Sequence, residues 1–90
     1  MTSEAYDEFV DNLADANPEA LLCEGLEGAC IGMARRKCSG ALAAYSVRKI
    51  MLIYVEQGMS YDEAREYFEF NVVDAWAGDG TPIFIEDEDL

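Results

Sequence analysis

Carboxylates are abundant in this chain, and other side chains that could carry catalysis are scarce. It contains 19 Asp and Glu, three Cys and no His. Pairs such as Asp62 and Glu66 share a helix face, but acid–base catalysis needs one carboxyl whose pKa is raised in a closed pocket, and no pattern predicts such a pocket. Without histidine, a Ser or Cys nucleophile lacks its usual base. We therefore predict no enzymatic activity and no catalytic residues, and a small enzyme or ligand-binding protein is the most distant alternative.

Metal and cofactor sites are not predicted either. The three cysteines, Cys23, Cys30 and Cys38, include no Cys-x-x-Cys pair, and no histidine is present to complete a zinc site. Free thiols that pack as small hydrophobic side chains are expected instead. The glycines between residues 25 and 32 lack the Lys-Ser or Lys-Thr pair of a phosphate-binding loop, and the stretch from Asp74 lacks the oxygen donors of an EF-hand. We expect no cofactor and no metal.

The charges fall into three blocks within a net charge of −13. Residues 1–28 contain eight acids and no base, residues 29–55 five bases and no acid, and residues 56–90 eleven acids and one base. Such a field repels nucleic acid and anionic membranes and attracts basic proteins. The prediction is a basic protein partner, no direct binding of nucleic acid and no membrane association.

The length and hydropathy of the chain indicate how many domains it forms and whether it enters a membrane. Ninety residues, 51% of them hydrophobic, are enough for one hydrophobic core. We predict a single domain over 1–90, with 86–90 as a flexible acidic tail. The longest uncharged run, 38–47, is far shorter than the roughly 20 apolar residues of a membrane-spanning helix. Residues 1–8 lack the positive start and apolar stretch of a secretion signal, so a cytoplasmic protein is expected.

The first predicted element is an amphipathic helix. Ser3 is suited to cap it, apolar residues from Tyr6 to Leu13 recur at i, i+3, i+4 and i+7, and an Asn-Pro pair predicts its end near Ala16. The opposite side carries the candidate partner-binding residues Glu4, Asp7, Glu8, Asp11 and Asp15. Carboxylates at i and i+4 stand about 6 Å apart, a spacing comparable with that of phosphates, which favours a mimic of DNA. A solvated face that keeps the protein soluble is the alternative, and adaptation to high salt is a third account of the excess of acids.

The remaining pattern predicts an α+β fold. A short helix is expected over 18–24, strands over 29–34, 41–45 and 81–85, a helix over 47–57 after Ser46, and a last helix from Tyr61 toward Trp76. A capping box, Ser60 with Glu63, marks the start of the last helix, and Pro82 places the final strand at a sheet edge. The predicted architecture is an N-terminal amphipathic helix, a small antiparallel sheet, two consecutive helices and a C-terminal edge strand. Residues 26–38 also fit a helix, so the alternative is an all-helical bundle.

The last predicted helix has more aromatic residues than one core face can bury. Phe68 and Phe70 lie about 200° apart around a helix, so both cannot face one core. Either the helix is buried on two sides, or Phe70 and Trp76 form an alternative partner surface. The sequence also contains a basic patch: Arg35, Arg36, Lys37, Arg48 and Lys49. It either neutralises the acidic blocks within the fold or meets acids of a second copy, which makes a homo-oligomer an alternative assembly.

The C-terminal third has a recognisable motif. It contains GMSYDEAREYFEFNV at residues 58–72, then AW at 75–76 and TPIF at 81–84. This stretch resembles the C-terminal signature of small acidic proteins encoded by tailed bacteriophages. The resemblance implies a phage or prophage setting and no particular chemistry. With the charge pattern, it suggests a phage protein that binds and inhibits a basic host protein, such as a nucleic-acid-handling or antiviral defence complex. An oligomeric viral accessory protein without inhibitory action is the alternative.

Overall fold

The computed structural model describes residues 2–36, 40–73 and 78–87. Three helices and three strands have the bounds Ser3–Ala16 (α1), Cys30–Arg36 (β1), Gly40–Ser46 (β2), Val47–Glu56 (α2), Tyr61–Phe68 (α3) and Ile83–Ile85 (β3). A 3-10 turn at Glu27–Ala29 leads into β1, and a π-helical turn at Glu69–Val73 extends α3. The α+β prediction is confirmed, and the all-helical alternative is wrong.

The sheet is mixed, not antiparallel throughout. β1 and β2 pair antiparallel, with Met33 opposite Ala43, whereas β2 and β3 pair parallel, with Tyr45 opposite Phe84. The antiparallel prediction is therefore wrong for β3. Two helices separate β2 from β3 and return the chain to the same end of the sheet, and a crossover of this kind gives parallel strands. β3 is at the sheet edge as predicted, and it begins at Ile83.

Thr2 caps α1, so the prediction of Ser3 as the cap is wrong. The Thr2 hydroxyl accepts a hydrogen bond from the Ala5 backbone amide at 3.1 Å, and Ser3 is the first helical residue. Thr2 has the extended backbone that an N-cap requires, with φ −71° and ψ 167°. The predicted end of the helix at Ala16 is confirmed.

The short helix predicted over 18–24 does not form. The Leu21 amide donates to the Gly80 carbonyl at 2.9 Å, and the Cys23 amide donates to the Tyr45 hydroxyl at 2.8 Å. Buried amides need partners, and these two find them in distant parts of the chain instead of in a local helix. The segment is therefore irregular and held against β2 and the chain that precedes β3.

Both later helices begin where their caps predict. The Ser46 hydroxyl accepts from the Lys49 amide at 3.1 Å at the start of α2. At α3, the Ser60 hydroxyl accepts from the Glu63 amide at 3.2 Å, and the Glu63 carboxylate accepts from the Ser60 amide at 3.1 Å, which is the predicted capping box. α3 itself ends at Phe68. The rest of the predicted helix lies partly in the π-helical turn and partly outside the described residues.

The hydrophobic core joins β1 and β2 to all three helices. Tyr45, Ile50 and Phe68 are among its largest fully buried side chains. The Phe84 ring of β3 contacts two of them, with centroid distances of 6.1 Å to Tyr45 and 5.4 Å to Phe68. Ile50 and Phe68 are fully buried, whereas Tyr67, next to Phe68 in the chain, is 45% exposed.

The chain that follows β3 is bonded to α2 and α3. The Asp87 carboxylate accepts hydrogen bonds from the Ser46 hydroxyl at 2.6 Å and from the Arg48 amide at 3.0 Å. Glu86 forms an ion pair with Arg65 at 2.5 Å. These two acids are the first residues of the predicted flexible tail, and both are held by side-chain bonds. Residues 88–90 lie outside the described residues.

The hydrogen bonds at Asp87 predict a loss of stability in acid. The Ser46 hydroxyl, and after it the Arg48 amide, hold the pKa of the Asp87 carboxyl below its usual value of 3.8. Because the folded-state pKa is the lower one, this contribution is complete above about pH 4 and is lost as the pH falls through the folded-state pKa. We expect Asp87→Asn to lower the melting temperature at neutral pH and to flatten its decline in acid.

The control for this prediction is Asp11→Asn, which also removes one carboxylate but breaks no described hydrogen bond or ion pair. It should leave both the neutral melting temperature and its acid decline close to those of the wild type. Parallel melting profiles for the wild type and Asp87→Asn from about pH 7 to about pH 3 would show that these hydrogen bonds contribute nothing.

Candidate functional site

The predicted partner-binding carboxylates lie along one side of α1. We call them the acidic ridge: Glu4, Asp7, Glu8, Asp11 and Asp15. Residues turn by about 100° each around an α-helix, which places all five within an arc of about 100°, opposite Leu13. Leu13 is buried, and every ridge residue is exposed. With a rise of about 1.5 Å per residue, the ridge is about 16 Å long and has one charge per about 4 Å. One strand of duplex DNA has one charge per about 3.4 Å of the helix axis.

The described cations form their ion pairs away from the ridge. Arg48 pairs with Asp87 at 3.9 Å, and Arg65 pairs with Glu86 at 2.5 Å and with Glu69 at 3.7 Å. Among the described side chains, those of residues 2–35, 40–72 and 78–87, no lysine or arginine forms an ion pair with a ridge carboxylate. The negative potential of the ridge is therefore directed to solvent and to any partner that approaches it.

An apolar groove lies between segment 21–26, the helical wall made by α3 and its π-helical turn, and the chain entering β3. Its volume is about 320 Å³. Its main apolar side chains are Leu21, Leu22, Tyr67, Val72, Pro82 and Phe84. Leu21 and Leu22 are 41% and 38% exposed. Large apolar side chains that are exposed together are typical of an interaction site, whereas isolated ones are common on any surface.

A second depression of about 350 Å³ adjoins this groove, and we call it the adjoining hollow. Tyr67 and Asn71 line both cavities, and the Asn71 side-chain amide donates to the Tyr67 carbonyl at 3.2 Å. Phe70 lines the hollow and is 68% exposed. This wall includes the π-helical turn, a rare element that is frequent at functional sites. Trp76, the other residue of the predicted aromatic surface, lies outside the described residues.

Two groups next to the groove, the Cys23 thiol and the Tyr45 hydroxyl, are protonated at neutral pH. Burial, with a smaller contribution from Cys30, raises the pKa of the Cys23 thiol to about 11. Burial also raises the pKa of the Tyr45 hydroxyl well above its ordinary value. The thiolate is the nucleophilic form of cysteine, so Cys23 is a poor nucleophile here. Cys38 lies outside the described residues.

The described residues contain no group of three or more His, Cys, Asp or Glu side chains that could hold a metal ion. A membrane would need a longer and more apolar helix than any of those described.

The sequence identified Phe70, which lines the adjoining hollow, but it did not identify the groove. The sequence predicts Leu21 and Leu22 in a helix that does not form, and Phe84 in an edge strand whose neighbour the sequence does not identify. These side chains meet because Gly80 packs directly on the backbone of Glu19. In the sequence, Gly80 is the last residue of a Gly-Asp-Gly turn. This turn predicts that the helix ends, but it does not indicate that Gly80 contacts a distant segment.

The ridge and the groove occupy different parts of the molecule. No α1 residue lines the groove or the adjoining hollow. The ridge is charged and elongated, whereas the groove is concave and apolar, so each can bind without the other. Comparison with family models, curated proteins and solved structures found no match to this chain.

Proposed function

We propose that this chain is a non-catalytic interaction protein encoded by a phage, which binds a basic host protein in the host cytoplasm through the acidic ridge and blocks it. The observation that supports this function is the ridge itself, with five exposed carboxylates on one arc of α1 and no ion pair to a described lysine or arginine. The resemblance of residues 58–84 to small phage proteins supports the phage setting.

The proposed partner is a protein that handles nucleic acid or takes part in antiviral defence. Proteins that bind duplex nucleic acid present Lys and Arg to its phosphates, which on each strand follow one another about every 3.4 Å of the helix axis. The ridge offers carboxylates at nearly this interval, so it can occupy the same basic groove and exclude the nucleic acid. Inhibition by occupancy needs no chemistry in the phage protein.

Long-range attraction should make this association fast and sensitive to salt. Opposite charges steer two proteins together, and salt screens that attraction beyond a Debye length of about 8 Å at physiological ionic strength. Solvent-exposed ridge charges are screened in this way. A complex held by the ridge should therefore weaken steeply between low and high salt.

Neutralising the ridge tests the proposal. The variant contains Glu4→Gln, Glu8→Gln, Asp11→Asn and Asp15→Asn, four changes opposite the buried face of α1. Folding should be retained, and the affinity for the partner captured from host extract should fall by about tenfold or more, with a shallower dependence on salt. The measurement is capture from extract at low and high salt, followed by titration of the captured protein.

A variant with the same net charge separates the ridge from the overall field. It contains Glu19→Gln, Glu56→Gln, Asp62→Asn and Asp79→Asn, which remove four exposed carboxylates outside α1. This control should keep most of the affinity. If the ridge variant captures the same partner as strongly as the wild type at both salt concentrations, the ridge is a solvated face and the proposal fails.

A further inference from the structure

We infer that the apolar groove and the adjoining hollow together bind a segment of a partner protein that has two bulky apolar side chains with lysine or arginine beside them. This inference goes beyond the proposed function, because no α1 residue lines either cavity. It assigns a second docking surface and the chemistry of its ligand.

The shape of this surface fits a chain segment with two anchors. The cavities of about 320 and 350 Å³ are separated by the wall that Tyr67 and Asn71 share. Each is large enough for a bulky apolar side chain, and such anchors in pockets dominate the energy of protein interfaces. Tyr67 and Phe70 are 45% and 68% exposed, so the apolar surface continues from one cavity to the next.

The charges around the cavities determine which charged side chains the bound segment can carry. Glu24 lines the groove, and Glu63 and Glu66 line the hollow, while none of the described lining residues is Lys or Arg. A bound segment with its own acids would meet these carboxylates, whereas Lys or Arg next to its apolar anchors would be attracted to them. The preferred ligand is therefore both apolar and basic.

The same charges disfavour a second copy of this chain as the occupant. In a two-fold symmetric contact the same patch of both copies meets, which would bring Glu63 and Glu66 of one copy close to those of the other. Each copy also has a net charge of −13. Repulsion between these carboxylates and repulsion between the two net charges both oppose self-association through this surface.

Three synthetic peptides of equal length test the inference by titration. The first combines leucines with lysines, the second keeps the leucines and replaces every lysine by glutamate, and the third keeps the lysines and replaces every leucine by serine. The Leu-Lys peptide should bind at least about tenfold more tightly than either of the others. Equal binding of the Ser-Lys peptide would reduce the interaction to non-specific charge attraction and overturn the inference.

Variants then locate the peptide on the protein. Phe70→Ser and, separately, Leu22→Ser should each weaken the Leu-Lys peptide by about tenfold. Leu52→Ser is the matched control, because Leu52 is 52% exposed and lines neither cavity. Glu66→Gln should reduce the preference for the Leu-Lys over the Leu-Glu peptide. Unchanged binding in Phe70→Ser and Leu22→Ser would overturn the inference.

Two further measurements separate this site from the other surfaces. The four-change ridge variant should bind the Leu-Lys peptide as the wild type does at high salt, where long-range charge effects are screened. Loss of the peptide in this variant at high salt would place the binding on α1. Sedimentation equilibrium should show a monomer. A dimer that Phe70→Ser dissociates would make a second copy the occupant and overturn the inference, with the proposed function of the ridge unaffected.

Discussion

Replacing Phe68 by alanine should destabilise the fold by about 3 to 5 kcal/mol. The Phe68 side chain is 1% exposed and packs edge-to-face on Phe84, with ring centroids 5.4 Å apart and planes at 83°. Its removal leaves a cavity between α3 and β3 and deletes an aromatic pair. A small domain has only about 5 to 15 kcal/mol of total stability, so urea denaturation should show a large fall in the midpoint.

Phe70→Ala is the matched control for this prediction. The same change is made two residues further along the chain, at a side chain that is 68% exposed and has no role in the core. It should change the free energy of unfolding by no more than about 0.5 kcal/mol. A similar loss in both variants, or a loss below about 1 kcal/mol for Phe68→Ala, would contradict the assignment of Phe68 to the inner face of α3.

Local signals made the helices predictable. The Ser60 and Glu63 capping box acts within one turn, as does the Ser46 cap, and both are present in the structure. The apolar spacing in α1 predicted a buried stripe that includes Leu13. The error at Thr2 was small because adjacent Thr and Ser residues both have a hydroxyl that can cap a helix.

Long-range contacts decided what the local signals could not. The helix expected over 18–24 is replaced by irregular structure because Gly80 and Tyr45 bind its amides, and neither partner is near in sequence. The direction of β3 depends on how α2 and α3 return the chain, which strand composition does not indicate. The π-helical turn after Phe68 has no separate signal in the pattern of residues.

The two candidate surfaces also differ in how far local sequence signals predict them. The acidic ridge follows from helical spacing, so all five residues could be named from the sequence. The ridge carboxylates lack ion pairs with the described cations because Arg48 and Arg65 pair with other acids. Those acids lie 39 and 21 residues away in the chain, so the sequence did not indicate them. The groove brings together segments 21–26 and 81–84 with α3, so it could not be identified beforehand. Only Phe70 of the adjoining hollow could be named from the sequence, because it and Phe68 cannot both face one core.

Gly80 is the residue that joins two of these segments. It is buried, its carbonyl accepts the Leu21 amide at 2.9 Å, and a Cβ added to it would overlap the Glu19 carbonyl oxygen. The same Cβ would lie 3.0 Å from the Glu19 carbonyl carbon and 3.4 Å from the Ala20 Cα. These are backbone atoms, which cannot rotate away as a flexible side chain can, so one of the two segments has to move.

Gly80→Ala should therefore cost about 1 to 3 kcal/mol or more in urea denaturation. Gly28→Ala is the control: its Cβ would meet only the Ile53 Cδ1 atom, at an ordinary 3.7 Å. Both changes restrict the unfolded chain equally, and this effect alone favours folding by about 0.4 to 1 kcal/mol. The difference between the two free energies of unfolding therefore isolates the clash at Gly80.

Displacement of segment 19–22 would also move Leu21 and Leu22, so Gly80→Ala should lose affinity for the Leu-Lys peptide although Phe70 is unchanged. Equal stability of the two alanine variants would mean that Gly80 and Glu19 are not in close contact, and the groove would then lack the wall that these leucines form.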